Sequence, residues 1–426
     1  MNTYKRAALG ATAIASLSVI SPAHATNGYF LNGYGAHAEG QGGIGYAVAD
    51  DALNLAANPA SAYFLGTRID GGIEWFGPRR GASITGNAFG PDQDYSGNGR
   101  HNFFIPNFGY TQRIGEQFAG GVAVYGNGGL NTDYRTNPYA RYGATGDAGV
   151  DLQQLIVSPT IAYALTPNHS IGLGINFAYQ LFEAKGIGAF GAFSQSPENV
   201  SDQGYEGSAG AGFRIGWQGH LSRWLDAGLS WQSKTWTQRF RRYRGLFADG
   251  GAFDIPETFG GGIAVKPLSG LRIAIDVQRI LYSKVPAVGN PIDSLFQGRP
   301  LGSSDSPGFG WRDINVYKVG VEYQLTPTFR VRAGYNRNTQ PVAANQTFIN
   351  VLAPGVVQDH YSVGASWMSS RHSEWSVYAV HAPRRNIDGV NSIPPGFPPA
   401  GLGGGNANVH LSENSVGFAY GYHFGR

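Results

Sequence analysis

The chain of 426 residues contains no cysteine and only two methionines, and its Asp, Glu, Lys and Arg together make up 14%, against about 25% in an ordinary soluble domain. The absence of cysteine excludes a disulfide framework, a thiolate zinc site, an iron–sulfur cluster and a cysteine nucleophile. Lys plus Arg (31) and Asp plus Glu (28) nearly cancel, leaving a net charge of +3. They are spread along the chain, so no concentrated basic face is available to a nucleic acid. Beyond the first residues there is also no run of about 20 apolar residues, the length a membrane-spanning helix needs. What is abundant is 64 Gly, 24 Phe and 23 Tyr. Such a composition suits a chain whose exterior is not mainly water.

The first residues point to a compartment. Lys5 and Arg6 form a positive region, Ala7 to Ile20 a short apolar one, and Ala23-His24-Ala25 a small-x-small cleavage site. Residues 1–25 therefore read as a secretory signal peptide, with the mature chain expected to begin at Thr26. A secreted chain with no spanning helix can sit in a membrane only as a barrel.

Period-2 alternation recurs through most of the remainder. Leu271, Ile273, Ile275 and Val277 oppose Arg272, Ala274, Asp276 and Gln278; Val416, Phe418, Tyr420, Tyr422 and Phe424 oppose Ser415, Gly417, Ala419, Gly421 and His423. A strand with unlike surroundings on its two sides has this pattern. The polar side is small or charged, as a lumen requires, and the other is continuously apolar with aromatics toward its ends, as a lipid band with girdles requires. About fourteen such segments can be counted, the first at Arg68–Phe76 and the last at Ser412–Phe424. Tight turns such as Thr166 to His169 and Thr326 to Thr328 alternate with long stretches such as Asn127–Val150, Ser283–Asp313 and Arg384–Leu411. The expected fold is all-β, a 14-stranded antiparallel transmembrane barrel over residues 66–426, in a Gram-negative outer membrane with turns periplasmic and loops external.

Residues 26–65 precede the first strand and lack clear alternation. A barrel of fourteen strands has a bore wider than wall side chains can fill, so this segment is expected to fold inward as a plug. Asn-Gly-Tyr-Phe-Leu-Asn from Asn27, Ala-Asp-Asp-Ala from Ala49 and Asn58-Pro59-Ala60 resemble the N-terminal hatch of the FadL-type family of outer-membrane transporters. Gly129-Leu130-x-Thr132-x-Tyr134, Ile255-Pro256-Glu257-Thr258-Phe259, Trp311-Arg312-Asp313 and Arg332-Ala333-Gly334-Tyr335 extend the resemblance over nearly all of the mature chain. It departs at the end, where Gly425-Arg426 follow Phe424, although such barrels usually finish on an aromatic residue. The resemblance implies passive uptake of hydrophobic small molecules, long-chain fatty acids first and aromatic hydrocarbons as the alternative, with no cofactor, no metal and no enzyme activity. A single barrel in contact with membrane lipid and lipopolysaccharide is expected.

The candidate residues follow from these readings. Three connections that ought to be polar are greasy: Ile187 to Phe193, Phe348 to Leu352 and Ile393 to Pro399. They either close the barrel mouth or form a landing surface, since exposed apolar patches usually mark binding sites. The family places its first groove after the fifth and seventh strands, which makes Phe190 and Phe193 substrate contacts. Arg312 matches a family position for a lumen base. At Phe182-Glu183-Ala184-Lys185 an acid stands where the family would have Arg, so Lys185 is the remaining cation there and neutral substrates stay open. By alternation Arg272, Asp276, Lys318, Glu322, Arg330 and Arg332 face the lumen, as a network holding the hatch or as partners for a substrate carboxylate. Asn58, Pro59 and Ala60 are the hatch residues expected to take part in gating. Gly126, Asn127, Gly128 and Gly129 put three glycines in four residues; glycine in a strand marks a bulge or bend, and the family reading is a lateral opening in the wall. Exit into lipid spares a greasy solute the cost of entering water, about 25 cal/mol per Å².

Three other signals carry less. Gly40-x-Gly42-x-x-Gly45 fits a dinucleotide fingerprint by chance, with no strand before it. His360-x-Ser362 resembles the motif of outer-membrane phospholipases and raises the alternative of a lipid hydrolase, but alternation turns both inward, away from bilayer lipid. Arg239-Phe240-Arg241-Arg242-Tyr243-Arg244 interleaves bases and aromatics; at the outer rim it reads as a contact for lipopolysaccharide phosphates or as a solvated loop.

Overall fold

The computed structural model describes residues 26–424; the expected signal segment and the terminal Gly425-Arg426 lie outside them. Fourteen antiparallel strands close into one ring among these residues. β1 (Arg68–Phe76), β2 (Phe103–Ile114), β3 (Phe118–Asn131), β4 (Gly149–Thr166) and β5 (His169–Lys185) lead to β6 (Glu206–His220), β7 (Leu225–Gln232), β8 (Thr258–Leu268), β9 (Leu271–Ile280) and β10 (Ile314–Thr326). β11 (Phe329–Asn338), β12 (Asp359–Met368), β13 (Ser373–Ile387) and β14 (Asn406–His423) complete it. β14 pairs back onto β1, with Tyr422 opposite Ile69 and Ser415 opposite Phe76. No helix among the described residues is long and apolar enough to cross a membrane.

Outward positions are those a bilayer selects. Leu155, Val157, Ile161, Ile171, Leu173, Ile175, Ile275, Val277, Val363, Val416 and Phe418 are all exposed. Their inward neighbours, among them Ser158, Asn176, Gln180, Asp276 and Ser362, are buried. A polar side chain is thus covered and an apolar one bare, the reverse of a soluble protein. Trp224, Trp367 and Trp375 stand near the end carrying the tight turns, and Tyr205, Trp236 and Tyr361 near the other, as interfacial girdles do.

Two irregularities of the wall have local causes. β7 is short, ending at Gln232 after eight residues. There the Ser233 hydroxyl accepts from the Phe213 amide at 3.0 Å in place of a ladder carbonyl, and the chain resumes as Trp236–Thr237 against β6. Past Gly77-Pro78, β1 continues as Arg79–Thr85, which pairs with the upper part of β14 and with Gln93–Ser96, so the sheet stands above the wall on this side.

Candidate functional site

The segment from Asn27 to Leu65 fills the lumen, almost every residue buried. Short turns hold it: Asp51 caps Ala52–Ala56 by accepting from the Leu53 amide, and Asn58 caps Pro59–Ser61 by accepting from the Ala60 amide. The free end of the Asn58 amide donates to Tyr46 O at 2.8 Å within the hatch and to Trp217 O at 2.9 Å on β6. Wall glycines make room for this motif, since a Cβ on Gly216 would meet the Asn58 side chain at 2.0 Å. Asn58, Pro59 and Ala60 thus form a seated anchor.

Charges secure the rest. A buried charge is costly unless paired, and most of the inward charges of the wall find partners in the hatch. Arg272 on β9 clasps Asp50 through both Nη atoms, one at 2.7 Å, and lies 3.5 Å from Glu322, which also takes Arg332 Nε at 2.8 Å. Asp276 accepts from the amides of Gly45 and Tyr46, and the Lys318 ammonium donates to Asn32 O and Gly43 O. Asp70 accepts from the Ala52 amide, and His37 Nε2 meets Glu374 at 3.1 Å. Ser362 accepts from the Gly42 amide at 2.7 Å, so its hydroxyl faces the hatch, while His360 is buried beside Glu413. The lumen charges therefore read as anchoring, Arg330 excepted, which is half-buried. The Gly-x-Gly-x-x-Gly stretch has a steric role: a Cβ on Gly334 of β11 would stand 2.1 Å from the Gln41–Gly42 backbone, so hatch and wall touch main chain to main chain.

Electrostatics within the hatch divide. Burial alone would raise the Asp50 carboxyl, yet the Arg272 guanidinium holds it well below the usual range. Asp51, for which burial outweighs the His37 and Arg68 charges, is pushed up to about 6. Burial likewise raises Glu39 well above its ordinary value. His37 is raised despite its burial and the Arg332 charge, through Glu374.

The glycine-rich end of β3 breaks the wall. β2 pairs with β1 over its whole upper part, from Arg68 opposite Thr111 to Phe76 opposite Phe103. With β3 it pairs only from Ile114 opposite Phe118 to Phe108 opposite Val124. Phe103 to Asn107 thus have no partner on the β3 side, an interval of roughly 17 Å at about 3.3 Å per residue. Above Val124, β3 pairs with β4 alone among the wall strands, with Asn127 as the extra residue of a bulge, and residues 125–130 are all buried because the strand has bent into the lumen. Gly128 faces Phe30 of the hatch; its φ is +136°, and a Cβ there would stand 1.6 Å from Tyr29 O. Asn127 Nδ2 donates to Gln154 at 3.0 Å, steadying the bulge. Gly126, Asn127, Gly128 and Gly129 therefore lie together at this bend. The register runs from Phe103 through Phe76 to Ser415 and from Asn107 through Gly72 to Ala419, which sets the unpaired stretch at the height of the outward-facing Val416 and Phe418, with β1 between.

The mouth is apolar. Val150, Phe182, Leu246, Phe247, Phe309 and Leu352 line a narrow cavity beneath the loops. Phe190 packs edge-on against Tyr139 and lies beside Phe348, and Phe193 stands against Phe296. Two of the greasy runs thus close the mouth, while in the third Ile393 is buried and Phe397 is 71% exposed beside Phe89. Lys185 pairs with Asp133 at 2.9 Å, and Arg312 is exposed; neither lines the cavity. In the run from Arg239, Phe240 and Tyr243 turn inward and Arg241 and Arg242 outward.

Residues 17–377 match the model of a family described as outer membrane protein transport protein (OMPP1/FadL/TodX). The chain belongs to this family. Its OMPP1/FadL/TodX barrel lies in the Gram-negative outer membrane. The long-chain fatty acid transport protein of Escherichia coli (strain K12) is 29% identical over 210 residues, 47% of this chain and 44% of that protein. That of Salmonella typhi is 28% identical over 176 residues, 41% and 38%. The chain thus spans less than half the length of these relatives. Among solved structures, the toluene transporter TodX of P. putida matches with TM-score 0.67 at 14% identity, over 93% of this chain and 99% of that one. A FadL homologue of Pseudomonas aeruginosa matches with TM-score 0.69 at 15% identity, over 93% and 100%. At such identity the likeness speaks for the fold alone.

Two features escaped the sequence reading. Asp50 is the partner of Arg272, and Ala-Asp-Asp-Ala marks the place without saying which Asp reaches the wall. Arg80 is buried at the broken stretch of wall, and nothing in Pro78-Arg79-Arg80-Gly81 distinguishes it from its exposed neighbour.

Proposed function

We propose that the protein is a passive transporter of hydrophobic small molecules, long-chain fatty acids foremost, acting as a single barrel. A solute lands on the exposed apolar loop around Phe397, passes the mouth that Phe190 and Phe193 help close, enters the cavity lined by Phe182, Phe247 and Phe309, and leaves sideways between β2 and β3 into the membrane. The observation that carries this reading is the conjunction of a lumen corked by its own leading segment with an unpaired stretch of wall beside lipid-facing residues. A bore closed to water with a side door fits a greasy cargo and not a hydrophilic one. The relatives named for long-chain fatty acid transport support the choice of substrate. Aromatic hydrocarbons are the second reading, favoured by one observation: Lys185 is engaged by Asp133 and Arg312 is exposed, which leaves the apolar cavity without a cation for a carboxylate.

Deletion of Asn127 tests the exit. Without the bulge residue β3 can run straight and pair with Phe103 to Asn107. Uptake of labelled oleate by cells relying on this protein is expected to fall at least tenfold while oleate binding to the outer face persists. Uptake at the parental rate would reject lateral release.

A further inference from the structure

Among the buried cations, Arg80 lies at the broken stretch of wall. It is 2% exposed and sits on the continuation of β1 above the broken wall. Its Nη2 donates to Arg100 O at 2.6 Å and to the Asn131 amide oxygen, and its Nη1 reaches Pro78 O at 3.4 Å. Its Nε has no partner. The guanidinium carbon lies 5.9 Å from the centroid of Phe103, the first unpaired residue of β2. Its hydrogen-bond acceptors are thus neutral, as are those of Arg214 and Lys318, where Arg68, Arg272 and Arg332 each meet a carboxylate within 4 Å; what distinguishes Arg80 from Arg214 and Lys318 is its place beside the unpaired residues of β2. Arg100 beside it is directed to Asp151 at 2.9 Å. Glu413 lines the same small cavity, together with Gly28, Phe76, Leu130 and Leu411; like Asp133 and Asp151 it acts on the Arg80 charge through space, without a hydrogen bond to it.

A guanidinium carries five donors in a planar fork, and bonds to a carboxylate are roughly twice as strong as bonds to neutral acceptors. An acid arriving at the gap would therefore outcompete the amide of Asn131. That amide belongs to the last residue of β3, which stays laddered to Asp151 of β4, so the exchange needs only a side-chain movement. We propose that Arg80 is a carboxylate-binding, specificity-determining residue of the lateral exit: it takes the head group of a fatty acid while the chain lies against Phe76 and Phe103, and it offers a neutral hydrocarbon nothing. The inference rests on lateral release as proposed above and adds which solutes that exit prefers.

The test compares uptake of labelled oleate with that of oleyl alcohol, the same chain without the charge, in cells carrying Arg80→Gln, Arg80→Lys or Asn131→Asp. The last variant preserves side-chain shape and gives Arg80 a permanent carboxylate, so it probes the site without emptying it. Barrel closure is checked for each by heat-modifiable migration on gels. The expected result is a fall of the oleate-to-alcohol uptake ratio by about tenfold in Arg80→Gln and Asn131→Asp, with substantial recovery in Arg80→Lys. A ratio unchanged in closed barrels of Asn131→Asp would overturn the proposal, as would an equal loss of both solutes. The Asn127 deletion separates the two ideas. If it blocks both solutes while the Arg80 and Asn131 variants leave the ratio alone, the exit stands and the role of Arg80 falls; if it blocks neither, lateral release itself fails.

Discussion

Replacing Gly128 by alanine should unseat the first turn of the hatch. The backbone there sits at φ +136°, and a Cβ would stand 1.6 Å from Tyr29 O and 2.7 Å from its carbonyl carbon. Holding a side chain at such a φ costs about 1–3 kcal/mol, and forcing an atom into a packed interior costs a similar ~1–3 kcal/mol. The wall strand is tied to β4 on its other side, whereas the hatch segment opposite, Thr26 to Leu31, meets this strand through a single pair. The hatch is therefore the partner that yields. About 3 kcal/mol moved into that equilibrium raises its undocked population roughly a hundredfold. Tyr29, now stacked with Phe30 and lying 5.8 Å from the Trp311 ring, becomes open to chymotrypsin, and Trp311 emission shifts to the red. The readout is the rate of cleavage after Tyr29 or Phe30 in detergent-solubilised protein, set beside wild type. An unchanged rate and spectrum in Gly128→Ala would refute the claim that bend and hatch are in steric register.

Arg272→Met leaves Asp50 buried without its partner, a loss of about 3–5 kcal/mol for a broken buried pair; recordings in planar bilayers should then show transient ion conductance where the parent is nearly silent, and continued silence would count against the charge network as the anchor. Acid should tighten the hatch. Asp51, raised to about 6, and Glu39 and His37, also raised, each contribute stability that is complete below their unfolded values and lost as pH rises through the folded ones, while Asp50, held low, changes only below that window. Proteolysis of the hatch should accordingly be slower at pH 5 than at pH 8, and the opposite order would show that these groups do not face the wall as described.

The barrel was legible because lipid enforces contrast. Where one side of a strand must be apolar and the other polar, as at Leu271–Gln278, the alternation cannot blur, and all fourteen wall strands announce themselves. Above the water line the constraint lapses: in Arg79–Thr85 the small Gly81 and Ser83 stand on either side of Ala82, and no alternation of apolar with polar stands out. The bulge at Asn127 could be read because glycine clusters where side chains will not fit. The inward turn of Arg80 could not, for a lone Arg in Arg79-Arg80 has no period to fix its side, and the partners that define it, Arg100 and Asn131, are distant in sequence. The mouth shows a third case. Ile187 to Phe193 and Ile393 to Phe397 are equally greasy, yet one run finds aromatic neighbours and the other leaves Phe397 bare, a difference set by which loops happen to meet.

The way the hatch is fastened limits how it can move. It is bonded to β1 at Asp70, to β6 at Trp217, to β9 at Asp276, to β10 at Lys318, to β12 at Ser362 and to β13 at Glu374, so its moorings encircle it. Pulling it out whole would break all of them in one event, at an energy no diffusing solute brings. Under the proposed function, traffic would proceed by peeling back one edge, and the leading turn beside Gly128, held by Tyr282 rather than by an ion pair, is the candidate. If the protein transports as proposed, a channel built this way would admit its cargo one molecule at a time without presenting a clear hole to ions.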